Sequence, residues 1–147
     1  MEAPVTTTVR QMLSHGGAVH SMPPTSTVLD ALRMMADTNV GAILVMEGDR
    51  LSGIFTERDY ARKVVLKGRN SKDTPIGDVM TNRLVTIDPT WTADQCMALM
   101  YEQHIRHLPV LEEGQVVGVI SIRDAVRAVV DEQRFTIRQL ENYISQT

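Results

Sequence analysis

The heptapeptide GIFTERD at residues 53–59 returns as GVISIRD at residues 118–124, and this recurrence decides the fold. With the same offset of 65 residues, residues 24–60 align with residues 89–125 without a gap. Nine of these 37 aligned positions are identical, where ordinary composition gives about two by chance. The chain is therefore an internal duplication, the feature to seek first in any sequence. The identical pairs are Pro24/Pro89, Thr25/Thr90, Thr27/Thr92, Met35/Met100, Val45/Val110, Glu47/Glu112, Gly53/Gly118, Arg58/Arg123 and Asp59/Asp124.

Each copy of the repeat predicts the same order of elements, β-α-β-β-α. A short apolar strand is expected at residues 18–20 and again at 84–87. Thr27 and Thr92 then open a helix with a capping-box pattern. Two strands joined by a tight turn follow, at 42–46 with 51–55 and at 108–111 with 116–120, and a second helix begins at Thr56 and at Ser121. The first helices share one apolar face, made of Val28, Ala31, Leu32 and Met35 in one copy and Ala93, Cys96, Met97 and Met100 in the other.

The size of one repeat, about 55 residues, is too small to bury a sufficient core alone. We therefore expect an α+β fold, with mixed α/β character, in which the two βαββα repeats pack with pseudo-twofold symmetry. The predicted division is repeat 1 at 9–67, a polar linker at 68–75, repeat 2 at 76–130 and a C-terminal helix at 131–147. That last helix carries Phe135, Ile137, Leu140 and Ile144 at near-helical spacing. It is predicted to pack on the module or on a second subunit.

Composition narrows the class of protein. The net charge of −3 lacks the basic surplus that is typical of nucleic-acid binders. No apolar run approaches the ~18 residues that a membrane span needs, and residues 1–10 do not resemble a signal peptide. The single cysteine, Cys96, excludes an internal disulfide. These features predict a cytoplasmic protein that binds neither membrane nor nucleic acid.

The repeated heptapeptide is also the best candidate for a ligand site. It lies where a strand ends and a helix begins, a junction that offers backbone N–H groups and a positive helix end to an anion. Its hydroxyl can donate to a phosphate, its arginine supplies charge and its aspartate suits a ribose diol. The residues are Thr56, Arg58 and Asp59 in one copy and Ser121, Arg123 and Asp124 in the other.

The alternative interpretation of the heptapeptide is purely structural. Thr-x-x-Asp is itself a capping box, which stabilises a helix with no ligand. Taken alone, the pattern favours this cap. Capping does not require arginine in both copies, however, and a capping carboxylate retains lone pairs for a ligand.

Together, these features resemble a tandem CBS-domain pair, or Bateman module, named after cystathionine beta-synthase. The resemblance rests on the duplicated βαββα unit, the Pro-Thr turn before each first helix, the segment HLPV at 107–110 and the two G-h-h-[ST]-x-R-D ends. It covers residues 9–130. The segment TERDYARK at 56–63 is similar to stand-alone bacterial members, in which no catalytic domain is attached.

The resemblance implies adenosine compounds as ligands, with AMP first and ATP, ADP, NAD(H) or S-adenosylmethionine as alternatives, bound in clefts between the repeats without a metal. The motif aspartate would bind the ribose, the hydroxyl and basic residues the phosphate, and apolar residues the adenine. One cleft would use Thr56, Arg58 and Asp59 with Leu84, Val85 and Ile105. The other would use Ser121, Arg123 and Asp124 with Val19, His20, Val40, Gly41 and Ala42.

The two implied clefts are not expected to be equivalent. Arg106 and His107 would face phosphate, but repeat 1 has Gly41 and Ala42 at those positions, and it has Leu44 in place of Pro109. We therefore expect a phosphate contact at the second repeat.

These inferences predict a ligand-sensing regulatory module that forms a homodimer and acts on a protein effector whose identity the sequence does not give. One alternative is an interaction scaffold with empty clefts. A second is an enzyme, but the sequence contains no recognisable nucleophile–base pair and no Gly-rich phosphate loop.

Three smaller features have structural interpretations. His104 and His107 are spaced for a shared metal, but no third ligand is evident and no metal is predicted. The methionines at helical spacing, such as Met34 and Met97, and Cys96 are predicted to lie in the core. The basic stretch at 58–72 is either a solvated surface or a site for a second phosphate.

Overall fold

The structure, a computed structural model, describes residues 6–14 and 19–146. The described residues form two compact units, one made of 19–85 with Glu113–Val116, the other of 6–14, 86–112 and 117–146. Residues 76–85 belong to the first unit. The elements in chain order are α1 Val9–Leu13, β1 Ser21–Met22, α2 Val28–Thr38, β2 Ala42–Glu47, β3 Arg50–Thr56, α3 Glu57–Asp59, a π-helix Tyr60–Val65, a 3-10 helix Ile76–Asp78, α4 Ala93–Gln103, β4 His107–Glu112, β5 Gln115–Ser121 and α5 Ile122–Ser145.

The first unit is built on a three-stranded sheet in the order β1-β2-β3. Strand β1 pairs parallel with β2, and β2 pairs antiparallel with β3. Alternate residues of the central strand, Ile43 and Val45, point into a core that α2 and the 3-10 helix cover. The members of this core are Val28, Ala31, Met35, Ile43, Val45, Phe55, Val64, Ile76 and Val79.

The segment between the repeats packs closely in the first unit. The carbonyls of Thr74 and Ser71 accept the backbone N–H groups of Val28 and Leu29, which begin α2. The side chain of Thr74 is buried and donates to the carbonyl of Asn70 at 2.7 Å. This segment therefore supplies carbonyl partners to helix-start N–H groups that no turn of the helix can satisfy.

The two first helices, α2 and α4, begin and end in the same way. Thr27 and Thr92 are the N-caps, and the capping box predicted for both is complete only in α4. Each helix ends at a left-handed residue, Asn39 at φ 56° and His104 at φ 56°. The internal duplication thus extends to single backbone angles, which the different residue types at these two positions do not reveal.

The predicted first strands are wrong in position. In the first unit the strand is Ser21–Met22, not residues 18–20, of which only 19 and 20 lie within the described chain. In the second unit, Ile87 forms a single parallel bridge to Val110, and no strand spans 84–87. Pro109 gives the physical reason, because Leu44 at the matching position donates to the carbonyl of His20, whereas proline has no N–H.

The other strands agree with the prediction to within about one residue at each end, and the mixed α+β class is confirmed. Strands β4 and β5 form a two-stranded sheet joined by Glu113 and Gly114, both with positive φ. This conformation is typical of a tight hairpin.

The helices that follow the two heptapeptides differ more between the repeats than any other pair of elements does. After Thr56 the chain makes one short α-helical segment and continues as a π-helix to Val65. After Ser121 it forms a single helix, α5, so the predicted C-terminal helix is the continuation of the second repeat's helix. Among the described residues, no helix has the length and apolar character needed to cross a membrane.

Candidate functional site

The heptapeptide forms the same cap in both units. Thr56 and Ser121 are N-caps with extended backbone, and their side chains accept the N–H groups of Asp59 and Asp124. Each aspartate accepts in return the backbone N–H of its capping residue, at 3.0 Å in the first unit and 2.8 Å in the second. The structural interpretation of the motif is therefore correct for both copies.

The capping hydroxyls are already committed within the protein. Thr56 Oγ1 donates to Asp59 Oδ2 at 3.1 Å, and Ser121 Oγ donates to Asp124 Oδ2 at 2.9 Å. The expected hydroxyl donor to phosphate is thus directed at a carboxylate instead. A ligand that uses this hydroxyl as a donor must displace that bond.

Most helix-start N–H groups are also paired, contrary to the expectation of a ready anion site. Glu57 N–H donates to the carbonyl of Gly41 at 3.2 Å, and Ile122 N–H donates to the carbonyl of Arg106 at 2.8 Å. The N–H groups of the capping residue and of the motif aspartate are bonded within the cap. Of the four N–H groups in each motif from the capping residue to the aspartate, three therefore have partners in the protein. The contact to Arg106 has a second consequence, because it holds that residue's backbone against the start of α5.

The remaining oxygen distinguishes the two aspartates. Asp59 is only 4% exposed. Its Oδ1 accepts Thr81 Oγ1 at 2.8 Å and lies 3.0 Å from Lys63 Nζ. Both oxygens of this carboxylate therefore have protein partners, which is what a buried charge requires.

The partners of Asp59 are held in place by neighbouring elements. Thr81 is fixed by a two-bond antiparallel bridge to Ile54 on β3. Lys63 lies on the π-helix and also donates to the carbonyl of Met80 at 3.3 Å. Gly53 permits this approach, because a Cβ there would lie 2.8 Å from the backbone oxygen of Thr81.

Asp124 has a different environment. The residue is exposed, and both of its side-chain hydrogen bonds involve Oδ2. Within the described residues, Oδ1 of Asp124 accepts no hydrogen bond and lies in no ion pair. At the position that matches Lys63 in the repeat, the second unit has Ala128. The second motif therefore presents an open acceptor and the first does not.

The other predicted site residues divide between the units. Leu84 and Val85 are half-buried and belong to the same unit as Thr56, Arg58 and Asp59. Gly41 and Ala42 also lie beside Thr56, through the carbonyl contact to Glu57 and the pairing of Ala42 with Thr56. In that unit Val19 is exposed, His20 is half-buried and Val40 packs against the core.

The second unit gathers the basic residues that were assigned to phosphate. Ile105 and Arg106 lie between α4 and β4, and His107 is the first residue of β4; Arg106 is exposed and the other two are half-buried. Arg123 is exposed on the first turn of α5. Pro109 is buried within β4.

The structure bears on the histidine pair, the basic stretch at 58–72 and the cysteine that the sequence analysis discussed. In the described part of the chain, no group of three His, Cys, Asp or Glu side chains is placed to hold a metal ion. Within the basic stretch, Lys63 binds Asp59 and Arg69 lies 3.3 Å from Asp78. Cys96 is buried in the core as predicted, and burial raises the pKa of its thiol to about 11.

Comparison with known proteins agrees with this duplicated architecture. The family model described as the CBS domain matches residues 9–66 and again residues 76–131. The chain belongs to the CBS-domain family. Its two matched domains form a tandem pair, the arrangement that the sequence repeat predicts.

Related proteins carry the same pair. The chain is 46% identical over 123 residues to the mitochondrial CBS domain-containing protein CBSX3 of Arabidopsis thaliana, covering 80% of this chain and 60% of that protein's length. A putative signal-transduction protein with CBS domains from Burkholderia ambifaria superposes with a TM-score of 0.83 and 44% identity, covering 86% of this chain and 96% of that one. CBS domain protein PAE2072 from Pyrobaculum aerophilum, complexed with AMP, superposes with a TM-score of 0.71 and 25% identity, covering 80% and 88% of the two chains.

Proposed function

We propose that this CBS-domain pair is a regulatory module that binds an adenosine nucleotide through the second motif, Ser121 to Asp124. The observation that carries the proposal is the open Oδ1 of the exposed Asp124. A carboxylate oxygen that keeps its lone pairs can accept a ribose hydroxyl without breaking the cap that Oδ2 maintains. The AMP complex of PAE2072 supports the ligand class.

Positive charge near the second motif supports a phosphate contact. Arg106 and Arg123 are both exposed, and the carbonyl of Arg106 is fixed to the first turn of α5. Guanidinium groups bind phosphate oxygens through two parallel hydrogen bonds and remain charged at every physiological pH. We propose AMP as the first ligand to test, with ATP, ADP and NAD(H) as alternatives that differ in phosphate number, and no metal requirement.

The first motif has a structural role in this proposal. For Asp59 to bind a ribose, Thr81 or Lys63 would have to release Oδ1 in a buried position. A ribose hydroxyl would only replace a bond that the carboxylate already makes, and the displaced Thr81 hydroxyl or Lys63 ammonium would lose its partner, so the exchange gives little net gain. Val19, His20 and Val40, which the resemblance assigns to the nucleotide at the second motif, remain proposed adenine contacts. Leu84, Val85 and Ile105 were assigned to the first motif, and this proposal gives them no ligand contact.

Regulation follows if the nucleotide has different affinities for two arrangements of the protein. We propose a homodimer in which nucleotide binding changes the affinity for a protein effector, with no catalysis by the chain itself. The proposed location is the cytoplasm, because Cys96 has no disulfide partner in the sequence.

The competing function is a scaffold that binds no nucleotide. It is favoured by one observation, the internal pairing of both capping hydroxyls and of three N–H groups at each junction. A scaffold would bind its partner protein equally well with and without nucleotide.

Isothermal titration with AMP, ATP, ADP and NAD(H), combined with mass spectrometry of small molecules that co-purify, tests the proposal. We expect saturable heat with at least one adenosine nucleotide, and weaker binding in Arg106→Ala. Arg134→Ala, which removes an exposed arginine further along α5, is the matched control. No heat with any nucleotide and no co-purifying nucleotide would overturn the nucleotide proposal and leave the scaffold as the remaining candidate.

A further inference from the structure

The C-terminal half of α5 carries apolar side chains that its own unit does not cover. Every residue from 133 to 146 is exposed, including Ile137 at 53% and Leu140 at 57%. An isolated helix of this length is marginal in water. Large apolar side chains aligned on such a helix indicate a face that another surface covers.

Helix α5 carries an inner apolar face and, about a third of a turn around the helix, an outer one. Ala125 and Ala128 are buried and begin an inner face, and α5 packs against α4 and α1 in its own unit. The outer face advances in alternate steps of three and four residues, which is a heptad pattern. All its members are exposed, with Val130, Ile137 and Ile144 at the a positions and Val126, Gln133 and Leu140 at the d positions.

We propose that this outer face binds the same face of a second copy of the chain, as a parallel two-stranded coiled coil. The residues at the a positions are all β-branched, which with leucine at d favours two parallel strands; of the d positions Val126, Gln133 and Leu140, Leu140 fits that rule. A heptad face matches another heptad face, because each apolar side chain fits between four side chains of the facing helix.

Gln133 decides the orientation of the two helices. In a parallel pair in register, d positions face d positions, so Gln133 meets Gln133 of the partner subunit and their amides bond to each other. In an antiparallel pair, d positions face a positions, so the amide lies unpaired against a β-branched side chain. That arrangement would gain exposed ion pairs between Arg134 and Glu141, but such pairs stabilise less than a buried unpaired amide costs.

The outer face is large enough to form a coiled coil only because α5 is already held in a helical conformation by its own unit. The face spans fewer than three heptads, which is short for an independent coiled coil. Here the N-terminal part of α5 is fixed by packing against α4, so its helical conformation is formed before the two copies meet. The exposed parts of these side chains on two copies amount to at most roughly 1,000 Å², which is about the minimum for a biological interface.

Cysteine crosslinking tests the parallel register. Leu140→Cys places two thiols at facing d positions of a parallel pair, within the span of a disulfide, and leaves Gln133 in place. Arg138→Cys, on the side of α5 away from the seam, is the control, and buried Cys96 is common to both variants. We expect mild oxidation to give a covalent dimer with Leu140→Cys and not with Arg138→Cys. Equal crosslinking, or none at position 140, would overturn the parallel pair.

Light scattering on a sizing column tests the interface itself. We expect a dimeric wild type, a monomeric Ile137→Asp/Leu140→Asp variant and a dimeric Gln139→Asp control, with circular dichroism to show that the domains remain folded. A monomeric wild type at high micromolar concentration, or a double variant that stays dimeric, would overturn the proposal. None of these measurements requires nucleotide, so the interface and the proposed nucleotide site fail independently.

Discussion

Lys63 Nζ lies 3.0 Å from Asp59 Oδ1, and the second repeat has Ala128 where the first has Lys63. Two aspartates that occupy equivalent positions in the repeat therefore differ in burial and in hydrogen bonding. Asp59 is buried and bonded on both oxygens, whereas Asp124 is exposed and bonded on one. The duplicated motif is a structural element in one copy and an open acceptor in the other.

The two aspartates should differ in their contribution to stability. Asp59→Asn leaves Lys63 without its counter-ion in a partly buried site, and we expect the free energy of unfolding to fall by about 2 kcal/mol. Lys63 is 42% exposed, which keeps this cost below that of a fully buried pair. Asp124→Asn keeps an amide oxygen for the cap and should cost about 1 kcal/mol or less. Urea unfolding of both variants checks this, and equal losses would contradict the asymmetry.

The two motif glycines should also respond differently to an added methyl group. A Cβ at Gly53 would lie 2.8 Å from the backbone oxygen of Thr81, and one at Gly118 would clash with the end of the Leu13 side chain. Leu13 can change rotamer, but the bridge that holds Thr81 must move as a whole. We expect Gly53→Ala to destabilise by about 2–3 kcal/mol and Gly118→Ala by about 1 kcal/mol.

Thermal unfolding of these two glycine variants, followed by circular dichroism, provides the measurement. A larger loss in Gly118→Ala than in Gly53→Ala would show that the contact between β3 and Thr81 is not rigid.

Cys96 should make stability depend on alkaline pH. Burial raises the pKa of its thiol from 9.0 to about 11, so the folded state binds a proton that the unfolded state releases first. The contribution of the protonated Cys96 thiol to the free energy of unfolding is complete below about pH 9 and is lost as the pH rises through 11. Because tyrosines and lysines titrate in the same range, the measurement is the difference between wild type and Cys96→Ala. That difference should narrow from pH 8 to pH 11, and a constant difference would contradict the burial of the thiol.

The duplication, the order of elements and the α+β class follow from the sequence because the repeat conserves turn residues and apolar spacing in both copies. The first strands could not be placed, because short apolar runs at residues 18–20 and 84–87 carry no register. The missing strand in the second unit could have been predicted from Pro109. Proline has no backbone N–H, whereas Leu44 at the matching position of the first repeat donates its N–H to the first strand.

The capping roles of Thr56 and Ser121 were predictable, because Thr-x-x-Asp is a local pattern. The role of Thr81 was not, because its contact with Asp59 depends on the bridge between Ile54 and Thr81, which joins distant parts of the chain. The role of Lys63 could be predicted in part. Its spacing of four residues from Asp59 favours an ion pair on a helix, and its replacement by Ala128 in the second copy was visible in the aligned repeats.

The most direct test of the nucleotide proposal is calorimetric titration of AMP into wild type, Asp59→Asn and Asp124→Asn. Because a hydrogen bond to a charged group contributes about 1.5–3 kcal/mol, Asp124→Asn should weaken binding by roughly 10- to 100-fold. Asp59→Asn should bind AMP with an affinity close to wild type once its fold is verified by circular dichroism. Unchanged affinity in Asp124→Asn, or a loss confined to Asp59→Asn, would contradict the account.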